Sequence, residues 1–412
     1  MDREKQLSGK GPMRIKPIKK QKISWIILLF IVLVLGVIAF IQTSPKYDKK
    51  AGFLSQAADI VTEKKKTIYP SQYSDAHITS NAIIADPQYK SLSYYEKTSQ
   101  LASLISASQY PKSANTGTAS AAEEKGTWLW TPTLDITPSY RKTIIDNAKK
   151  AGLNAIYLSV DSYLDIYVMQ NGPEKDAKKK LFGDTIDAFI KEASQSGIIV
   201  DAEAGWRNWA EDGNAYKAFG ILNFVKDYNK THQNKFRGFQ YDIEPYLLDS
   251  YQKNKAGVLA DFLDLVNETV TRLDKTSLAF SVVIPEFYDG TNGETPKFLY
   301  AGTTTYAVDH LFDILDRRGG STVILMSYRN FSRGDDGSID ISKDEISSAD
   351  AHTTKVIVAQ ETGDVEPPYV TFHDTNLSYY KKQLAFIESA FRSDESFGGV
   401  AVHYINAFMD LK

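Results

Sequence analysis

Residues 238–246 read Gly-Phe-Gln-Tyr-Asp-Ile-Glu-Pro-Tyr. Side chains alternate along an extended strand, so Gln240, Asp242 and Glu244 share one face while Phe239, Tyr241 and Ile243 share the other. The second set is apolar or aromatic and suits packing under helices. The first is polar, and its two carboxyls repel, which predicts that one of them keeps its proton near neutral pH. An acid in that state can protonate a departing sugar oxygen. The other reading of the same residues is a buried pair neutralised by an arginine such as Arg329.

Further chemistry-bearing residues fall at the ends of other β-rich runs. Trp128 and Trp130 end the first, and Asp161 and Tyr163 follow the second. Glu203, Trp206, Arg207 and Trp209 end or follow the third; Tyr246 follows the fourth, and Glu286 and Tyr288 the fifth. Tyr328 and Arg329 end the sixth, Glu361 the seventh, and His403 and Tyr404 the eighth. Aromatic rings stack on the C–H faces of pyranoses while carboxylates bind hydroxyls, so the collection predicts a sugar platform. Glu203 and Glu286 read as hydroxyl ligands or salt-bridge partners. Arg207 either pairs with Glu203 or binds an acidic sugar. His373 and His403 read as polar lining, and the acidic run 335–340 as a solvated turn.

Those ends need a frame that gathers them. Eight β-rich runs (127–131, 154–160, 197–204, 238–244, 278–284, 322–328, 355–361 and 398–404) alternate with amphipathic stretches such as 137–152, 179–197, 257–275 and 378–393. This is the arithmetic of an α/β fold of the (β/α)8 barrel type, whose strand C-termini converge on one mouth. A doubly wound open sheet is the rival, but no glycine-rich phosphate loop follows the first strand. Too little chain follows strand eight for a full helix, so residues 46–110 are expected to cover either that last helical slot or the bottom of the barrel.

The 412 residues contain no cysteine, which removes disulfides and thiolate chemistry, and six scattered histidines without ligand spacing argue against a metal. No cofactor is expected. Residues 1–22 carry an excess of six positive charges, so a net charge of −3 leaves −9 on the rest. An acidic body is a poor partner for nucleic acid. Residues 23–41 are uncharged and long enough, at about 28 Å of helix, to cross a bilayer. The basic flank predicts a cytoplasmic 1–22, a single-pass anchor at 23–41, and everything beyond outside the cell. Residues 42–125 read as a helical stalk and linker, and 126–412 as the barrel.

The fourth-strand motif is similar to that of family 18 glycoside hydrolases, the chitinases and their relatives, which reads D-G-x-D-x-D-x-E. Gly238, Asp242 and Glu244 match it; Arg237 and Gln240 replace its first two aspartates. Met326-Ser327-Tyr328-Arg329 resembles the family's M-[AS]-Y-D, with Arg329 in place of the aspartate. Only His403 or Tyr404 matches the strand-eight tryptophan position. The resemblance covers roughly 126–412. It implies Glu244 as acid/base, Asp242 orienting a substrate acetamido group and Tyr328 hydrogen-bonding that group. A second mechanism pairs Glu244, in its Glu-Pro context, with Glu361 at the end of strand seven as nucleophile. Both lead to a membrane-anchored hydrolase of surface or extracellular polysaccharide. The rival reading is an inactive, lectin-like barrel that binds polysaccharide.

Overall fold

The computed structural model describes residues 123–411 except Asp212. The basic segment, the anchor expected at 23–41 and the part of the expected stalk before residue 123 lie outside the described residues. Among those described, no helix is long and apolar enough to cross a membrane.

Eight parallel strands close into a barrel: β1 (Glu124–Leu129), β2 (Ala155–Ser159), β3 (Ile199–Ala204), β4 (Gly238–Tyr241), β5 (Ala279–Pro285), β8 (Thr322–Met326), β9 (Lys355–Glu361) and β10 (Phe397–His403). Around the ring, β1 is followed by β10, β9, β8, β5, β4, β3 and β2. The strands β6 (Phe298–Tyr300) and β7 (Thr303–Thr305) form a separate hairpin that the sequence pattern did not announce. Between strands run the helices α1 (Pro138–Ala151), α2 (Tyr163–Tyr167), α3 (Pro173–Gln195), α4 (Ala215–Thr231), α5 (Lys255–Arg272), α6 (Ala307–Asp316), α7 (Lys343–Ala349) and α8 (Leu377–Phe391). A short α9 (Ile405–Met409) follows the last strand and packs on α1 and β1.

Local sequence explains the boundaries. Helix α1 starts where the Thr137 hydroxyl accepts from the Tyr140 N–H with Pro138 in the first turn, and it stops at Gly152, whose φ of 79° is left-handed. Asn254 and Asn376 cap α5 and α8 in the same way as Thr137. Strand alternation then divides the apolar residues between two cores. Phe239, Tyr241 and Ile243 join the layer between barrel and helices, whereas Trp128, Tyr157, Val283, Ile324, Ile357, Ala359 and Ala401 fill the barrel.

Strand β1 begins at Glu124, inside the segment expected to be linker, and the reason is electrostatic as well as geometric. Gly126 and Thr127 pair with Ala401 and Val402 on one side and Ala155 and Ile156 on the other. At the barrel floor the Arg237 guanidinium bridges the carboxylates of Glu124 and Asp201, while the Tyr157 hydroxyl donates to Glu124 at 2.7 Å. Burial raises the Asp201 carboxyl and the neighbouring guanidinium opposes that rise. The position where the chitinase motif has its first aspartate therefore serves a structural knot tying β1, β3 and β4.

Helix α7 carries a second buried acid. Glu345 is 1% exposed and neither carboxyl oxygen has a hydrogen-bond partner. Burial, then the charges of Asp289, Glu286 and Asp344, push it up to about 9. Unfolding lets it ionise above the ordinary 4.5, so between that value and about 9 rising pH favours the unfolded chain. Glu345→Met should therefore raise stability at pH 8 by about 1–3 kcal/mol, the usual cost of an unpaired buried polar group. The gain should be smaller at pH 5, where the ionisation part has nearly gone and only the unpaired neutral carboxyl's burial cost remains, as read by denaturant titration at both values.

Candidate functional site

The site stands on the polar rows inside the barrel. Register aligns Ser159 with Glu203, Glu203 with Gln240, and Gln240 with Ser281 in one rung across β2 to β5. Glu203 and Gln240 are both fully buried there, and Gln240 Nε2 donates to Ser281 Oγ at 3.2 Å. Glu203, read as a hydroxyl ligand or salt-bridge partner, and Gln240, read as a substrate-binding residue, instead lie one strand repeat beneath the mouth, fully buried under it. Asp242 lies one repeat above them and Glu244 two.

Strand β4 ends at Tyr241, so Asp242 to Glu244 leave the sheet as the chain turns into the short 3-10 turn Pro245–Leu247. Asp242 is 5% exposed and Glu244 7%. The Tyr246 hydroxyl donates to Glu244 Oε1. Burial first, and the adjacent Glu244 second, raise the Tyr246 phenol so far that it stays a donor. Gly205 makes room for this turn. A Cβ at that position would lie 1.9 Å from the Asp242 carbonyl oxygen, so β3 and β4 converge only because residue 205 has no side chain. The Gly205 N–H also donates to Asp161 Oδ1 at 3.2 Å.

Tyr328 lies within electrostatic reach of the carboxyls. Its phenol is raised well above its ordinary value by burial, and then by Glu361, Asp242, Glu244 and Glu286 in that order. One protonated hydroxyl thus sits in the field of four acids from the ends of β4, β5 and β9. Its ring lies nearly parallel to that of His403, with centroids 5.9 Å apart.

Glu361 is held by a chain that runs across the barrel seam. Trp130 Nε1 donates to His403 Nε2 at 3.0 Å, which places the imidazole proton on Nδ1. That proton is directed at Glu361 Oε2, 2.6 Å away, and Oε1 accepts from the Gly363 N–H at 2.5 Å. Both oxygens of Glu361 are acceptors in fixed directions. Tyr404 stands beside it, its phenol raised by burial and then by Glu361. His403→Phe removes the partner of both Trp130 and Glu361, so a loss of about 1–3 kcal/mol in folding stability is expected by urea titration.

Trp128, Trp130 and Trp209 are not the expected platform. Trp128 is 1% and Trp130 3% exposed, stacked on each other inside the barrel, with Tyr157 and His403 edge-on to Trp128. Trp209 belongs to the outer core. Their apolar area wins over any sugar contact because strand period two turns residues 128 and 130 inward. Trp206 is half-buried, with the Arg207 guanidinium 5.9 Å from its ring centroid. Arg329 does not cap the Asp242–Glu244 pair. It binds Asp336 at 2.7 and 3.0 Å and lies 3.7 Å from Glu286, whose carboxyl is raised by burial. Glu286 is thus the salt-bridge partner that one of its two readings described. In the acidic run, Asp336 pairs with Arg329 and Asp340 with Lys343, as in a solvated turn.

No known family model and no curated protein sequence matches this chain. Solved structures with a similar barrel do exist. The spore cortex-lytic enzyme SleL of Bacillus megaterium QM B1551 is 13% identical, over 70% of this chain and 74% of that one, with a TM-score of 0.40. A GH18 chitinase from Pseudoalteromonas aurantia is 15% identical, over 69% and 98%, at 0.41. A β-mannanase from the blue mussel Mytilus edulis is 9% identical, over 69% and 87%, also at 0.41. The likeness is one of fold. Barrels of this kind carry many chemistries, so activity has to be argued from the side chains.

Three features escaped the sequence reading. Gly205 carried a detectable signal, a glycine at a strand end. The Trp130–His403–Glu361 chain did not, because 273 residues separate its first two members. Tyr369, exposed on the loop after β9, lies in no periodic pattern.

Proposed function

We propose that this protein is a glycoside hydrolase in which Glu244 is the general acid and base. The observation that carries the reading is that the ends of β4 and β9 hold three nearly buried carboxyls, Asp242, Glu244 and Glu361, with Glu244 held by the Tyr246 hydroxyl and both oxygens of Glu361 hydrogen-bonded. Glu244 is nearly buried and fixed through one oxygen by Tyr246, so its carboxyl can be aimed at a glycosidic oxygen without bulk water competing. Arg329, the cation best placed in sequence to quench it, is engaged by Asp336 and Glu286.

Two partners are available for the positive charge that develops at the anomeric carbon. Asp242, with Tyr328, can orient a substrate acetamido group for internal attack, as the chitinase resemblance implies. Glu361 is the second, favoured by the specific observation that His403 and the Gly363 N–H fix both its oxygens as acceptors. In that version Glu361 attacks the anomeric carbon, the leaving oxygen takes the Glu244 proton, and water later cleaves the glycosyl ester with Glu244 as base.

We assign the substrate to the polysaccharides of a cell surface or its surroundings, with the chain anchored through residues 23–41 and the barrel outside. The uncharged run and its basic N-terminal flank support that placement. Reducing-end release from a panel of surface polysaccharides and chito-oligosaccharides tests the activity; no release from any of them overturns it. Protease shaving of intact cells tests the topology, with loss of the barrel expected.

A further inference from the structure

With Trp128, Trp130 and Trp209 buried and Trp206 half-buried, the apolar face most open to a sugar chain lies elsewhere on the rim. Tyr369 lies in the 3-10 turn Pro368–Val370 after β9 and is 48% exposed. Its position is fixed from both neighbouring strand ends. The Asn330 N–H donates to the Tyr369 carbonyl at 2.7 Å and Asn330 Nδ2 to that of Pro368 at 3.0 Å, which ties the turn to the chain just past Tyr328. On the other side the Phe372 N–H donates to the Glu361 carbonyl at 2.9 Å, and Thr371 Oγ1 to that of Gly363 at 2.5 Å. Three residues of chain reach about 10 Å at most and the hydrogen-bonded neighbour adds about 5 Å, so the Tyr369 backbone stands within about 15 Å of that of Glu361, the span of a short oligosaccharide.

The ring is also backed. The Arg329 guanidinium lies over it, 5.6 Å from the centroid, and is itself held by Asp336 and by the Tyr328 carbonyl. A cation against an aromatic ring fixes its tilt. An exposed ring held this way, on a pinned turn beside a catalytic mouth, differs from a free surface tyrosine. Tyr379, the other aromatic ring comparably exposed among the described residues, sits on α8 and leans on Phe372.

We propose that Tyr369 is the stacking platform of a saccharide subsite on the β8–β9 side of the mouth, with Arg329 as its backing cation. It takes the C–H face of a pyranose in the same short oligosaccharide as the residue being cleaved. This rests on the glycosidase reading for the position of the cleaved bond but not for the binding itself. The loop after β9 thereby sets how long a saccharide must be to bind well.

The test uses the full chain in detergent, carrying Glu244→Gln so that ligands persist. Calorimetry with chitobiose and chitotetraose, and with mannobiose and mannotetraose, compares Tyr369 with Tyr369→Ala and Tyr369→Trp. The expected result is about tenfold weaker binding of one tetrasaccharide in Tyr369→Ala, recovery in Tyr369→Trp, and little change for the disaccharide. Unchanged tetrasaccharide affinity in Tyr369→Ala overturns the subsite, and wild-type hydrolysis in the same assays then leaves the function standing. Tyr369-dependent binding without hydrolysis by the wild type does the opposite: the subsite holds and the hydrolase reading falls. Failure of every chain to bind any of the four probes overturns the subsite and points to a protein partner for the exposed ring.

Discussion

Replacing Glu244 by Gln should lower turnover by about 10²–10⁴-fold while saccharide affinity changes by no more than a few-fold. The amide keeps the length and planarity of the carboxyl. Its oxygen still accepts from the Tyr246 hydroxyl, which burial keeps protonated, so the side chain should stay in place. Only the transferable proton is lost. Reducing-end release gives the rate, and calorimetry on the same preparations gives the affinity. A Glu244→Gln chain that hydrolyses at the wild-type rate rules out the assigned acid. A wild-type chain that binds a polysaccharide and never cleaves it establishes the lectin-like alternative, for which burial of Gln240 against Ser281, where the related motif has a second aspartate, is the relevant departure.

The second large effect concerns backbone. Gly205→Ala is expected to cost about 3 kcal/mol of stability or more and to abolish most activity. Its Cβ would meet the carbonyl oxygen of Asp242 at 1.9 Å, the carbonyl carbon at 2.2 Å and Cα at 2.8 Å. None of these is the tip of a flexible side chain, so the clash is relieved only by moving one strand end against the other, at the upper end of overpacking costs. That movement displaces the segment bearing Asp242 and Glu244. Urea denaturation and turnover should fall together. A variant of wild-type stability would show that the two strand ends separate freely and that the tight approach is not needed.

Most of the barrel was legible in the sequence because two periods announce it. The strand runs alternate with stretches of helical period, and every expected strand lies within about three residues of the observed ends at both termini. The inward orientation of Gln240, Asp242 and Glu244 followed from period two alone. Pattern could not say how deep each inward residue sits. Glu203 and Gln240 look like ligands in a linear reading and become floor only once the register of four strands is known. Trp128 and Trp130 misled for a related reason: an aromatic residue at a strand end serves equally as platform or as filling, and closure of the ring decides. The first strand reached back to Glu124 because its partner, Arg237, is remote in sequence. Tyr369 was invisible because its role depends on Arg329 and Asn330, which lie far upstream and across a helix.

The bond from Trp130 to His403 joins the first strand of the barrel to the last, alongside one from the Thr127 hydroxyl to the Val402 carbonyl. Contacts this distant along the chain form late, after most loop entropy has been spent. Glu361 is therefore oriented only when the cylinder has zipped shut. A chain still emerging from the ribosome, or one cut before β10, lacks His403 and so leaves Glu361 unheld, which means the proposed site is complete only in the finished fold.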